Sequence, residues 1–191
     1  YGQYWHNHFS TIGLVGMNEA SRNLLGKDIG TAEGRGFAAR ILDHMRARLL
    51  TFQEQTGNLY NLEATPAEGT SYRLARLDRQ KYPNITSANT SPQASRSEPF
   101  YTNSTQLPVN YTNDIWEVLE LQDDLQARYT GGTGLHINLG EAVANPNAVK
   151  RFVRKVCTNY RLPYFTISPV FSICAEHGYL RGQVQQCPHC G

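Results

Sequence analysis

Four side chains that bind soft metal ions crowd the end of this sequence. Cys174 and His177 form a C-x2-H pair, Cys187 and Cys190 a C-x2-C pair, and nine residues separate the two. Cysteine thiolates and imidazoles are the ligands that zinc takes in four-coordinate tetrahedral sites. Two such pairs meet at one ion only if the chain doubles back. A β-prone run ends at Cys174, and Gly178, Gly182 and Gly191 stand at the turns. Four protein ligands leave no position for water or substrate, so the site is structural. The fourth ligand has two candidates, His177 or a cysteine beyond Gly191. His189, inside the C-x2-C loop, is expected to point outward.

The four cysteines of the chain are Cys157 and these three. A disulfide framework spreads its cysteines through a small secreted chain, whereas clustering beside a histidine favours metal in a reducing, cytoplasmic setting. Cys157 sits in a helical pattern and reads as a buried apolar thiol. A 40% hydrophobic content over 191 residues is enough for a sizeable core. A net charge of +2 does not argue for nucleic acid. No apolar run reaches the roughly 20 residues that span a bilayer. Starting at Tyr1 without a Met and stopping at Gly191, the chain reads as an internal piece of a longer protein.

The preceding residues alternate between strand and helix patterns. Phe9 to Gly16 and Asn58 to Ala64 read as strands, as do Ser104 to Val109 (weakened by Pro108), Leu135 to Leu139 and the run from Tyr164. Met17 to Leu25 reads as a helix closed by Gly26. Phe37, Ile41, Leu42, Met45, Leu49 and Phe52 form the clearest amphipathic stripe, with Arg40, Asp43, Arg46 and Arg48 on a solvated face. Tyr72 to Leu77 looks helical. Asp114 is placed to cap a helix reaching Tyr129, and Asn145-Pro146 to open one that reaches Tyr160. Residues 83–99 have loop composition. Alternation of this kind predicts crossover units and a largely parallel sheet.

Thr65 to Ser71 join a strand to a helix start. Backbone N–H groups at such an end attract phosphate through the helix dipole, and Gly69 permits close approach. The competing reading is an ordinary helix start capped by Thr70 or Ser71. Ser10, Thr11, Thr102, Asn103, Ser104, Thr105 and His136 lie on or beside predicted strands, where they line a lumen if the sheet curls, or are satisfied polar groups. His6 and His8 form an H-x-H pair with no third ligand nearby.

Several of these stretches resemble the anaerobic (class III) ribonucleoside-triphosphate reductases. They are Ser10 to Ala20, Asn61 to Arg73, Tyr101 to Ser104, Leu107 to Val109, Tyr129 to Thr133 and the C-x2-H-G-Y…C-P-x-C-G ending. The resemblance runs the length of the chain in order. It implies an α/β fold: residues 1–173 as about half of a ten-stranded α/β barrel, and 174–191 as a zinc-ribbon-like module. It implies reduction of ribonucleoside triphosphates to deoxyribonucleoside triphosphates for DNA synthesis, by glycyl and thiyl radical chemistry. The glycyl radical would be installed by an S-adenosylmethionine-dependent, 4Fe-4S activase. Formate or a thiol system would be the reductant, and the whole enzyme a homodimer.

By the same resemblance Ala67, Glu68, Gly69, Thr70 and Ser71 receive the substrate phosphates on backbone N–H groups, with the Glu68 carboxylate turned away. Cys174, His177, Cys187 and Cys190 hold structural Zn2+. The radical cysteine loop, expected upstream of Tyr1, and the R-V-x-G-Y radical motif, expected beyond Gly191, do not occur in the sequence. The chain by itself is therefore expected to be inactive, with no catalytic residue of its own. Two other readings are a nucleic-acid-binding zinc ribbon and another glycyl-radical enzyme. Arg181 is the one fixed positive charge between Cys174 and Gly191, which disfavours the first. The zinc pattern disfavours the second.

Overall fold

A computed structural model of the chain describes residues 4, 7–90, 98–108, 111–139, 145–182 and 184–190. His6, Val109 and Gly191, and residues 91–97 of the polar loop, lie outside the described residues. The elements run β1 (Phe9–Gly13), α1 (Met17–Leu25), α2 (Ala32–Thr56), β2 (Leu59–Glu63), α3 (Glu68–Lys81), α4 (Ile115–Gln126), β3 (Leu135–Asn138), α5 (Pro146–Asn159), β4 (Phe165–Ser168), β5 (Phe171–Cys174) and β6 (Gly178–Arg181). They group into two compact units, Tyr1–Thr133 and Gly134–Gly191.

In the first unit β1 and β2 pair in parallel, Phe9 opposite Leu59 and Gly13 opposite Glu63. The crossover between them is α1 followed by α2. Helix α1 closes where the sequence predicts, at Gly26 in the left-handed region. Helix α2 begins earlier than its apolar stripe, because Thr31 caps it by accepting from Gly34 N–H at 3.1 Å. Leu42 and Leu49 of α2 pack with Met17, Ile29, Leu62, Leu125 and Tyr129 in one core. Full burial of Leu42 and Leu62 contributes about 2 kcal/mol each. Asp114 caps α4 as expected, but that helix ends at Gln126, short of Tyr129.

No strand forms between Ser104 and Pro108, contrary to expectation. Ser104 has φ 36°, Asn103 makes a single antiparallel bridge to Val15, and Pro108 has no N–H to give a ladder. The segment ties into its surroundings through individual hydrogen bonds instead.

In the second unit β3 and β4 pair in parallel across α5, Leu135 opposite Phe165. Asn145 caps α5 and Pro146 occupies its first turn, as predicted. Val156 is the buried residue of α5, whereas Cys157 is exposed. One step along a helix turns the side chain by about 100°, which carries Cys157 off the Val156 stripe. The continuous strand expected from Tyr164 divides at Pro169. β4 stays parallel to β3, while β5 pairs antiparallel with β6. Two of the three strand pairs are thus parallel, and the ending is a hairpin. No helix among the described residues is long and apolar enough to cross a membrane.

Candidate functional site

The hairpin is what assembles the metal-ligating group. β5 delivers Cys174 to its tip, residues 175–177 turn, and Gly178, at φ 68°, starts β6 opposite Cys174. Cys187 and Cys190 follow on the next turn. His177 Nδ1 lies 3.6 Å from both Cys174 Sγ and Cys187 Sγ, and Cys174 Sγ lies 3.6 Å from Cys190 Sγ. All four ligand atoms fall within 4.8 Å of one another. A tetrahedral zinc with S bonds of about 2.3 Å and N bonds of about 2.0 Å has ligand–ligand edges of roughly 3.5–3.8 Å. The three 3.6 Å separations match such edges, so the four residues could hold a metal ion, His177 among them.

The backbone is arranged for thiolates. Hydrogen bonds from the backbone at His177 and Glu176 pull Cys174 down to about 6. Hydrogen bonding to Cys174 and Cys187 pushes Cys190 up to about 11, so Cys174 gives up its proton before Cys190 does. His189 N–H donates to Cys187 Sγ at 3.4 Å. The His189 ring is exposed, as expected, and rests on His177 with centroids 5.2 Å apart.

The second group lies at the carboxyl ends of β1 and β2, the edge where α/β sheets gather ligand-binding loops. Leu14 N–H donates to Glu63 O, Ala64 N–H to Gly132 O, and both Thr130 and Gly131 N–H to Leu62 O. Residues 64–67 lead into α3, whose N-cap is Ala67 with no side-chain cap. Neither Thr70 nor Ser71 caps the helix. Ala67 N–H is taken by Thr65 O, Glu68 N–H by Pro66 O and Ser71 N–H by Ala67 O. The N–H groups of Gly69 and Thr70 face no protein acceptor among the described residues. Glu68, Gly69 and Thr70 are exposed, while Ser71 is buried. Of the five candidate phosphate ligands, two keep open donors. Among the described residues, Thr65 Oγ1 in the loop after β2 and Asn61 Oδ1 on β2 are buried without a hydrogen-bond partner.

A family model described as anaerobic ribonucleoside-triphosphate reductase matches residues 1–191. The chain belongs to the anaerobic ribonucleoside-triphosphate reductase family. A phage T4 reductase of this name is 28% identical over 135 residues, which is 71% of this chain and 20% of that protein. A Haemophilus influenzae reductase is 25% identical over 193 residues, covering 95% of this chain and 25% of its own length. A solved anaerobic ribonucleotide reductase superposes with a TM-score of 0.75 at 25% identity, over 99% of this chain and 28% of its own. The chain thus spans about a quarter of the length of these reductases.

The polar residues that the sequence offers as lining a lumen if the sheet curls, or as satisfied polar groups, have different surroundings in this member of the reductase family. Ser10 and Thr11 are exposed on β1. His136 Nδ1 meets Thr166 Oγ1 at 2.8 Å, its register neighbour on β4. Thr102 is bound by a residue the sequence reading missed. Glu19, 1% exposed, accepts from Thr102 N–H at 2.9 Å, Thr102 Oγ1 at 2.7 Å and Asn18 Nδ2 at 3.2 Å. A lone glutamate early in α1 carries no local signal of a partner 83 positions away.

Proposed function

We propose that these residues form part of the catalytic α/β barrel of an anaerobic ribonucleoside-triphosphate reductase. The carrying observation is the family match over residues 1–191. The reaction would convert ribonucleoside triphosphates to their deoxy forms by glycyl and thiyl radical chemistry. The radical residues, the activase and the formate or thiol reductant belong to other segments and partners of that larger, homodimeric enzyme.

The role of this portion is to receive the triphosphate on the first turn of α3. Gly69 and Thr70 supply open N–H donors there, the helix dipole favours the negative charge, and the unpartnered Thr65 Oγ1 adds a hydroxyl. The Glu68 carboxylate, exposed and of like charge, leaves the contact to the backbone. Residues 174–190 hold a structural zinc through Cys174, His177 Nδ1, Cys187 and Cys190. The metal supplies the charge that keeps three thiolates together and closes the tail on itself.

Gly69→Ala tests the phosphate site. A Cβ at Gly69 meets nothing within 4 Å, and Ala favours the helix by about 1 kcal/mol, so the substitution leaves the fold intact. In the complete enzyme it is expected to weaken ribonucleoside triphosphate binding and leave binding of the corresponding nucleoside unchanged, measured by calorimetry. Unchanged triphosphate affinity would refute the site.

A further inference from the structure

Ser71 stands in the first turn of α3, but its hydroxyl serves a residue thirty positions away. Oγ donates to Tyr101 O at 2.6 Å and accepts from Tyr101 N–H at 2.8 Å. The side chain is 3% exposed. One hydroxyl therefore pairs with both backbone groups of Tyr101, as a neighbouring strand residue would.

The segment it grips is held on its other side as well. Thr102 N–H and Oγ1 bind the two Glu19 oxygens, Gly16 N–H donates to Thr102 O at 2.9 Å, and Met17 N–H donates to Ser104 O at 3.0 Å. The Tyr101 hydroxyl donates to Asp78 Oδ2 at 2.8 Å. Residues Tyr101 to Ser104 thus form a strut. It runs from the loop after β1 to the first turn after β2.

That first turn needs an external anchor. The initial N–H groups of a helix have no intrahelical acceptors, and a side-chain cap normally fixes them. Ala67 supplies none. Among the described residues the Ser71 hydroxyl is the side-chain group of this turn that bonds outside it. Whether Gly69 and Thr70 N–H point to one place depends on that grip.

We propose that Ser71 is a positioning residue for polyphosphate: its double hydrogen bond to Tyr101 fixes the uncapped start of α3 so that Gly69 and Thr70 N–H converge on the ligand. The proposal rests on the reading of this turn as the triphosphate site. Ser71 itself does not touch the phosphates.

The test compares Ser71→Ala, Ser71→Thr, Gly69→Ala and Leu49→Ala in the complete enzyme, with calorimetric affinities for a ribonucleoside triphosphate and for its nucleoside. Leu49→Ala, in the core, is the control for a general loss of stability. Ser71→Ala is expected to weaken the triphosphate about tenfold, the scale of one or two lost hydrogen bonds. Nucleoside affinity stays constant, Ser71→Thr restores binding, and Leu49→Ala leaves both affinities unchanged. If Ser71→Ala does not fold, Ser71→Cys, a weaker donor of similar size, replaces it with the same expectations. Gly69→Ala weakening the triphosphate while the Ser71 variants do not would overturn the positioning role and keep the phosphate site. No effect from either would overturn both. Equal loss for nucleoside and triphosphate, or an effect of Ser71→Ala without one of Gly69→Ala, would place the cause outside this turn and overturn the proposal.

Discussion

Replacing His177 with alanine removes one corner of the metal-ligating group and tests whether that corner completes it. Structural zinc sites bind with apparent energies of about 10–16 kcal/mol, so one ligand in four carries about 3–4 kcal/mol, or roughly 10²–10³-fold in affinity. Phe171 is 45% and Ile173 74% exposed, so the hairpin relies on its ladder and on Ser172 Oγ, which donates to Gly182 O and accepts from Val184 N–H, more than on burial of these two side chains. Loss of metal should therefore loosen residues 171–190 as well as empty the site. Chelator competition reads the affinity, limited proteolysis reads the tail, and Co2+ substitution reports the ligand set in its visible spectrum. Three thiolates and an imidazole are expected in the unaltered protein, with the spectrum changed in His177→Ala. Affinity should also fall as pH drops below about 11, where Cys190 takes up a proton that competes with the ion, and more steeply below about 6, where Cys174 does. Unchanged zinc affinity and an unchanged Co2+ spectrum in His177→Ala would show that the fourth ligand comes from elsewhere.

Glu19→Ala should cost about 3 kcal/mol or more, because it strands Thr102 N–H, Thr102 Oγ1 and Asn18 Nδ2 in a buried site, and Glu19→Gln should cost less. Urea denaturation midpoints measure both, and a loss under 1 kcal/mol for Glu19→Ala would contradict the strut described above. Burial first, then the hydrogen bond to Asp78, raise the Tyr101 phenol well above its ordinary 10.0. The folded state keeps that proton while the unfolded chain gives it up, so stability is full below pH 10.0 and falls as pH rises past it. Tyr101→Phe should remove this part of the alkaline loss, and parallel pH–stability curves for the two proteins would refute the assignment.

What the sequence made legible was local. Gly26 ends α1, Asp114 and Asn145 cap their helices, and the Cys/His cluster that could hold a metal closes through short turns, each a matter of a few neighbouring residues. The break at Pro169 had a visible signal, since a proline cannot donate within a ladder. Pairing of β5 with β6 had none, because a run of apolar residues does not say which neighbour it will choose. The Ser71 clasp and the Glu19 site were illegible for a related reason. Both join residues 30 or 83 positions apart, and a serine near a helix start reads first as its own cap.

The glycines of the carboxyl-end loops illustrate how such distant joins leave traces that are easily misassigned. Gly13 and Gly131 look like turn residues, yet neither has a positive φ. A Cβ on Gly13 would lie 2.3 Å from Thr65 Oγ1, and one on Gly131 would lie 3.1 Å from Asn61 Cγ and Nδ2. Both positions are therefore set by close approach to a side chain rather than by backbone conformation. The side chains they admit are, among the described residues, the two whose oxygens are buried without partners, Thr65 Oγ1 and Asn61 Oδ1. An unpaired buried polar atom costs about 1–3 kcal/mol, so glycines that press loops onto two of them are difficult to explain by stability alone. A ligand or ordered water that completes those bonds removes the difficulty.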